Sequence, residues 1–236
     1  MADLLVNENH DTSEILASLK KYGCVHIRNV FVPDEVTHAG RIVAAVRLDV
    51  ENHIANNTLP AAITDGYIKR GSFCIKYLPD IVNTLKPMIK SSILPNLARE
   101  LFQSSICWTL GVSHLRCVEP ENIKKYSPMH QDCFFLPGHS INICIPMTAY
   151  GGKCSGLSLM PGVRSAHSSE DVGALLADDA KTWVPEVLAG DVLIFDQFVP
   201  HHRHYGSNVS EERVNIEARF RSQAEVTPKC EPVVEF

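Results

Sequence analysis

Residues Gly190 to Phe220 read GDVLIFDQFVPHHRHYGSNVSEERVNIEARF. A Gly-Asp turn precedes an apolar run, and three histidines, His201, His202 and His204, follow within four positions. The stretch closes on a strict alternation. Arg213, Asn215, Glu217 and Arg219 share one face of an extended segment, and Val214, Ile216, Ala218 and Phe220 share the other. A surface strand with a wet face explains that pattern. So does a barrel strand whose polar face lines an interior site while its apolar face packs under helices. The histidines pose the same choice between a polar loop and a chemical role for one imidazole.

Working outward, the sequence from Trp108 onward repeats this texture. WTLGVSHLRCVEP, MHQDCFFLPG, SINICIPM, SGLSLMPG and TWVPEVLAGDVLIF are short apolar runs broken by turn residues. Such spacing predicts a β-sandwich or barrel. In SINICIPM, Ser140, Asn142 and Cys144 alternate with Ile141, Ile143 and Ile145, so Asn142 falls on the side from which a co-substrate is within reach. Before Trp108 the pattern is helical. Asp11 to Glu14 has the form of a helix start, EILASLKKY follows at helical spacing, and Gly23 stops it. CVHIRNVF predicts a strand, and Pro33 opens a longer helix. The stretch 56–110 mixes short helices and strands. With neither a repeat nor a linker, one domain over 1–236 is expected: a mostly helical support and pocket-lining region at 1–107 and a β-barrel core at 108–222.

The bulk properties narrow the function. The chain has 236 residues, 45% hydrophobic and 21% charged, with a net charge of −5 and a pI of about 6.1. A general affinity for nucleic acid or anionic membrane is not expected of such a surface. No apolar run approaches a membrane span, and the N-terminus lacks the pattern of a signal peptide. A cytoplasmic protein acting on a small molecule is the expectation, with its oligomeric state open. The 8 cysteines form no CxxC pair. Cys74, Cys117 and Cys144 fall in apolar runs and read as buried reduced thiols.

His130 and Asp132 stand two apart on a predicted strand, so both side chains point the same way. An imidazole and a carboxylate projecting together make two thirds of a 2-His-1-carboxylate facial triad, the donor set of non-haem Fe(II) enzymes. Eleven histidines yield roughly one HxD by chance at ordinary aspartate abundance, so the pair needs its context. That context is a later histidine from the 201–204 cluster, some seventy residues downstream, and then Arg213, whose planar fork suits a carboxylate.

With these residues in order, the chain resembles the phytanoyl-CoA dioxygenase family of Fe(II)/2-oxoglutarate oxygenases. The resemblance spans most of the chain, from LKKYGCVHIRNVF through HQD, CFFLPG, SGLSLMPGVRSAH and GDVLIFDQFVPHH to Asn208–Ser210 and Arg213. It implies a double-stranded β-helix, a jelly-roll or cupin-like barrel of two sheets, buttressed by N-terminal helices. It implies His130, Asp132 and a distal histidine as catalytic Fe(II) ligands, and Arg213 holding the far carboxylate of the co-substrate 2-oxoglutarate. O2 is the other co-substrate, and the products are an oxidised small molecule, succinate and CO2. Because Asp132 occupies the position that halogenating relatives lack, hydroxylation or a related oxidation is favoured.

The distal ligand stays open between His201 and His202. Counting from Gly190 favours His201, counting back from Arg213 suits His202 as well, and His204 ranks third. Arg219, on the face of Arg213, is its rival for the carboxylate. PGVRSAH departs from the family pattern, which makes His167 a loop residue. Arg116, Lys76 and Lys124 read as surface charges. Trp108 and the Phe134-Phe135 pair read as core. His26, His53, His114 and His139 receive no site role. Two competing readings stand beside this one: a cupin-like isomerase or hydrolase without 2-oxoglutarate, which Arg213 argues against, and a non-catalytic small-molecule-binding barrel.

Overall fold

A computed structural model of the protein describes residues 6–59, 71–120, 129–136, 138–163, 182–226 and 232–236. Lys124 and His167 lie outside the described residues. β1 (Val6–Asn7) leads to α1 (Thr12–Tyr22). Asp11 caps this helix, its carboxylate accepting from the backbone N–H groups of Ser13 and Glu14 at 2.8 and 3.1 Å. Gly23, at φ 76°, ends it by donating to the Leu19 carbonyl. These are the start and stop that the sequence predicts. β2 (Cys24–Ile27) follows, then α2 (Pro33–Ala55), β3 (Ser72–Cys74), α3 (Pro79–Ser91) and α4 (Leu94–Phe102).

The remaining strands are β4 (Ile106–Thr109), β5 (His114–Val118), β6 (Ser140–Pro146), β7 (Gly156–Leu159), β8 (Val192–Asp196), β9 (His201–His204), β10 (Arg213–Ser222) and β11 (Val233–Glu235). Of TWVPEVLAGDVLIF only Val192–Asp196 is a strand, and Trp183 and Val187 make single bridges. Strands also come from before Trp108, since β2 and β3 join the large sheet. That sheet runs β1-β2-β8-β6-β10, and β10 then pairs with both β5 and β4. A second sheet consists of β7 and β9, antiparallel.

The large sheet has two buried sides. On one, Val25, Ile27, Ile141, Ile143, Ile145, Val192, Ile194, Ile216, Ala218 and Phe220 form a continuous core with Ile15 and Leu19 of α1, Val36 and Val43 of α2, and Ile81 and Leu85 of α3. Trp108, wholly buried there, donates its indole N–H to Ser113 Oγ at 3.0 Å. On the other side, Cys24, Cys144, Leu193 and Phe195 pack against Leu157 and Leu159 of β7 and against Val199. The period-2 alternation therefore sorts residues between helices and a barrel interior, not between core and water. No helix among the described residues is long and apolar enough to cross a membrane.

The Gly-Asp turn is a joint of this frame. Gly190 adopts φ +100°, and a Cβ there would meet the Phe31 carbonyl oxygen at 3.0 Å. Asp191 then accepts from His26 Nε2 at 2.9 Å, and from the N–H groups of Asn29 at 3.0 Å and Leu188 at 3.1 Å. Burial alone would raise its pKa, but these hydrogen bonds, led by that of His26, hold it below the ordinary carboxylate value. Cys117 and Cys144 are buried, Cys74 is half-buried, and none of the three is in a disulfide.

Candidate metal centre

His130, Asp132 and His201 converge, their ligand atoms all within 4.8 Å of one another. Asp132 Oδ1 stands 3.9 Å from the Nε2 of each histidine. The expected strand at His130 is reduced to a single bridge to His201, and Asp132 already begins a 3-10 turn. The shared direction survives because Gln131 between them is extended, at φ −116° and ψ 138°. The bridge also ties the two histidines to each other: His130 N–H donates to the His201 carbonyl at 3.0 Å, and His201 N–H to the His130 carbonyl at 2.9 Å.

β9 decides among the three histidines. Successive strand residues face opposite ways, so His201 turns inward while His202 and His204 share the other face. His201 is 6% exposed and packs 4.6 Å from the Phe195 ring. Its Nδ1 lies 3.0 Å from the Val199 carbonyl oxygen. A carbonyl only accepts, so Nδ1 carries the proton and Nε2 presents a lone pair toward Asp132. Burial pushes the imidazole pKa down to about 4, which keeps it neutral, as a metal ligand must be.

Asp132 is gripped on its other oxygen. Asn142 Nδ2 donates to Oδ2 at 2.7 Å, and Arg219 Nη2 sits 3.0 Å from the same atom. Burial by itself raises this carboxyl pKa, but His201, Arg219 and His130 together hold it below the ordinary value. Both Asn142 and Arg219 thus act here on the Asp132 carboxylate.

Arg213 lies apart from this cluster on the same face of β10. It is 2% exposed. Nη1 donates to the Gly156 carbonyl at 3.0 Å, and the guanidinium stands 4.8 Å over the Tyr150 ring. No carboxylate pairs with it among the described residues, and its Nε has no hydrogen-bond partner. Burial accordingly pulls its pKa below the ordinary arginine value. The nearby Ser155 hydroxyl, also buried, is equally unpartnered.

Three readings change. Phe134 and Phe135 are 54% and 72% exposed, not core, because the 3-10 turn at Asp132 swings them outward, with the Phe135 ring 6.4 Å from that of His130. Arg116 is not a surface charge: its Nε donates to Glu217 Oε2 at 2.9 Å inside the barrel. Glu217 had no expected role, although it shares the parity of Arg213 and Arg219. Burial would raise its pKa, but Arg116, Arg219 and Arg213 drive it far below the ordinary range. Tyr150 carried no signal, since a lone tyrosine after a proline-bounded strand looks like any core aromatic. Lys76 is exposed, and His26 and His139 pair with Asp191 and Asp196.

No protein-family model matches the sequence, and no curated protein sequence matches it. Solved structures do. AviO1 from Streptomyces viridochromogenes Tue57 superposes with a TM-score of 0.65 at 15% identity, over 92% of this chain and 97% of that one. The fold is a double-stranded β-helix. EctD from S. alaskensis, solved with 2-oxoglutarate and 5-hydroxyectoine, gives a TM-score of 0.69 at 15% identity, over 92% of this chain and 79% of that one. The non-haem α-ketoglutarate-dependent epimerase SnoN from nogalamycin biosynthesis gives 0.59 at 16%, over 89% of this chain and 82% of that one. In the double-stranded β-helix of this chain, the His-Asp-His cluster is formed by His201 on β9 and by the segment His130–Asp132 that bridges to it.

Proposed function

We propose that the protein is a non-haem Fe(II)- and 2-oxoglutarate-dependent dioxygenase that oxidises a small molecule, with 2-oxoglutarate converted to succinate and CO2. Two imidazoles and one carboxylate suit Fe(II), and EctD, a protein of the same fold, has been solved with bound Fe. The observation that carries the co-substrate is Arg213. A buried guanidinium without an anionic partner costs free energy, and a dicarboxylate with one end at the metal and the other on Arg213 removes that cost. Tyr150 beneath the guanidinium and the unpartnered Ser155 hydroxyl complete this end of the pocket.

When bound, the metal and 2-oxoglutarate supply the oxidising chemistry with O2. The chain supplies geometry. His130, Asp132 and His201 would hold the ion. Asn142 and Arg219 fix the carboxylate's orientation, and the Val199 carbonyl fixes the His201 tautomer. The apolar residues Leu159 and Phe195 exclude water behind the ligands. Hydroxylation is the favoured outcome, since Asp132 leaves no ligand position for halide.

The test is anaerobic titration of Fe(II)-loaded protein with 2-oxoglutarate, followed by succinate measurement in air with a substrate panel. Visible charge-transfer absorption on 2-oxoglutarate addition, lost in Arg213→Met, is the expected result. Folded protein that binds Fe(II) but gives neither the absorption nor succinate overturns the assignment.

A further inference from the structure

The interior carries a second group of polar side chains, on the β3–β5 side, that neither the metal nor Arg213 uses. Arg116 of β5 stands opposite Asn215 of β10 and Ser72 of β3, and antiparallel partners share a face. Only its Nε is engaged, with Glu217. The other two guanidinium nitrogens make no hydrogen bond among the described residues. Asn215 is wholly buried, and neither its amide nitrogen nor its oxygen has a partner. His114, opposite Glu217 in the register, has an unpartnered Nδ1. Burial first, and Arg116 second, push its pKa down to about 3, so it is neutral and free to donate or accept. Asp132 exerts its charge on both His114 and Arg116, so this wall adjoins the metal ligands.

Buried polar atoms without partners are costly, about 1–3 kcal/mol each. Asn215 Nδ2 and Oδ1 and His114 Nδ1 are three such atoms on one wall, beside an Arg116 side chain that is 20% exposed, and together they mark a place for a ligand group. The charges define its sign. Arg116, Arg213 and Arg219 face Asp132 and Glu217, three cations to two anions. A divalent metal and a 2-oxoglutarate dianion cancel each other, so one positive charge remains. Arg116 is paired with Glu217 through Nε alone, so its two terminal nitrogens are the donors left for a further anion.

We propose that the primary substrate carries a carboxylate seated on Arg116, with Asn215 and His114 as neutral partners and Glu217 as the positioning residue that fixes the guanidinium. The inference rests on the assignment of Arg213 to 2-oxoglutarate.

The test uses full-length protein loaded with Zn(II) and saturating 2-oxoglutarate, which binds without turnover and blocks Arg213. Calorimetric titrations with hexanoate, hexanamide and hexylamine, and with benzoate and benzamide, compare charge at constant shape. The expected result is that the carboxylates bind at least ten-fold tighter than their amides, and the amine more weakly still. Arg116→Gln abolishes that preference, Arg116→Lys retains part of it, and Arg116→Gln/Glu217→Gln, which leaves no buried charge unpaired, also abolishes it. Equal binding within each pair, a preference that survives both glutamine variants, or no saturable carboxylate binding by the folded protein overturns the proposal. Failure of the co-substrate assignment reads separately, as absent 2-oxoglutarate binding before any carboxylate is added.

Discussion

The two faces of β10 are equally buried and unlike in every other respect. Toward the helices, Ile216, Ala218 and Phe220 are 0% exposed and make ordinary apolar contacts. Toward the barrel, Arg213, Asn215, Glu217 and Arg219 are 0–8% exposed and only partly satisfied. Arg219 and Glu217 have charged partners in Asp132 and Arg116. Arg213, Asn215 and, at Nε, Arg219 all have buried atoms with no partner among the described residues, and of the three only Arg219 also has a carboxylate ion pair. One face contributes stability, whereas the other costs stability and carries the proposed site. The difference is visible only when hydrogen bonds and charges are counted, because burial is the same on both.

The comparison breaks most sharply at the ligand carboxylate. Asp132→Ala removes a metal ligand and leaves Arg219 buried and unpaired. Fe(II) affinity in a competition titration falls by more than about 100-fold, and the pair's loss costs about 3–5 kcal/mol in urea denaturation. Retained Fe(II) affinity would remove Asp132 from the site. Arg213→Met separates function from stability. Its 2-oxoglutarate affinity falls by about 100-fold, while stability without ligand is unchanged or rises by up to about 1–3 kcal/mol, because an unpartnered buried charge is gone. A large loss of stability would mean that Arg213 is structural.

On the opposite face the signs invert. Ile216→Ala destabilises by about 2–5 kcal/mol through the cavity left under the helices, and folded protein keeps its Fe(II) affinity. A smaller effect is expected at the Gly-Asp joint. The Asp191 pKa lies below its unfolded value of about 4, so its hydrogen bonds stabilise above that pH and are lost as pH falls through the folded value. Asp191→Asn therefore costs about 1–2 kcal/mol at pH 7, and the gap to the parent narrows on acidification. A gap independent of pH would mean that the charge contributes nothing. The smallest effect belongs to His202→Ala, which leaves Fe(II) affinity within about three-fold, whereas His201→Ala abolishes it. The reverse outcome would exchange the two histidines.

Much of this was legible in one dimension. The cap at Asp11, the stop at Gly23, the two faces of β10 and the His130–Asp132 pair are all set by neighbours within a few residues, where backbone geometry dictates direction. The period-2 alternation separates Arg213, Asn215, Glu217 and Arg219 from Val214, Ile216, Ala218 and Phe220 before any fold is known. Alternation also separates His201 from His202, but it leaves open which of them turns inward.

That choice belongs to the tertiary structure. The register of β9 against β7 and its bridge to His130 turn His201 toward Asp132. The pairing of β10 with β6 sets Arg219 opposite Asn142, so both reach the Asp132 carboxylate, and the pairing of β10 with β5 brings Arg116 inside. The outward turn of Phe134 and Phe135 likewise follows from the 3-10 turn at Asp132. Apart from that local turn, each outcome depends on which strand lies across from which, between residues far apart in the chain. Periodicity is a local property of the chain and carries no record of that register. Sequence alone therefore determines which residues share a face, and packing decides what each face meets.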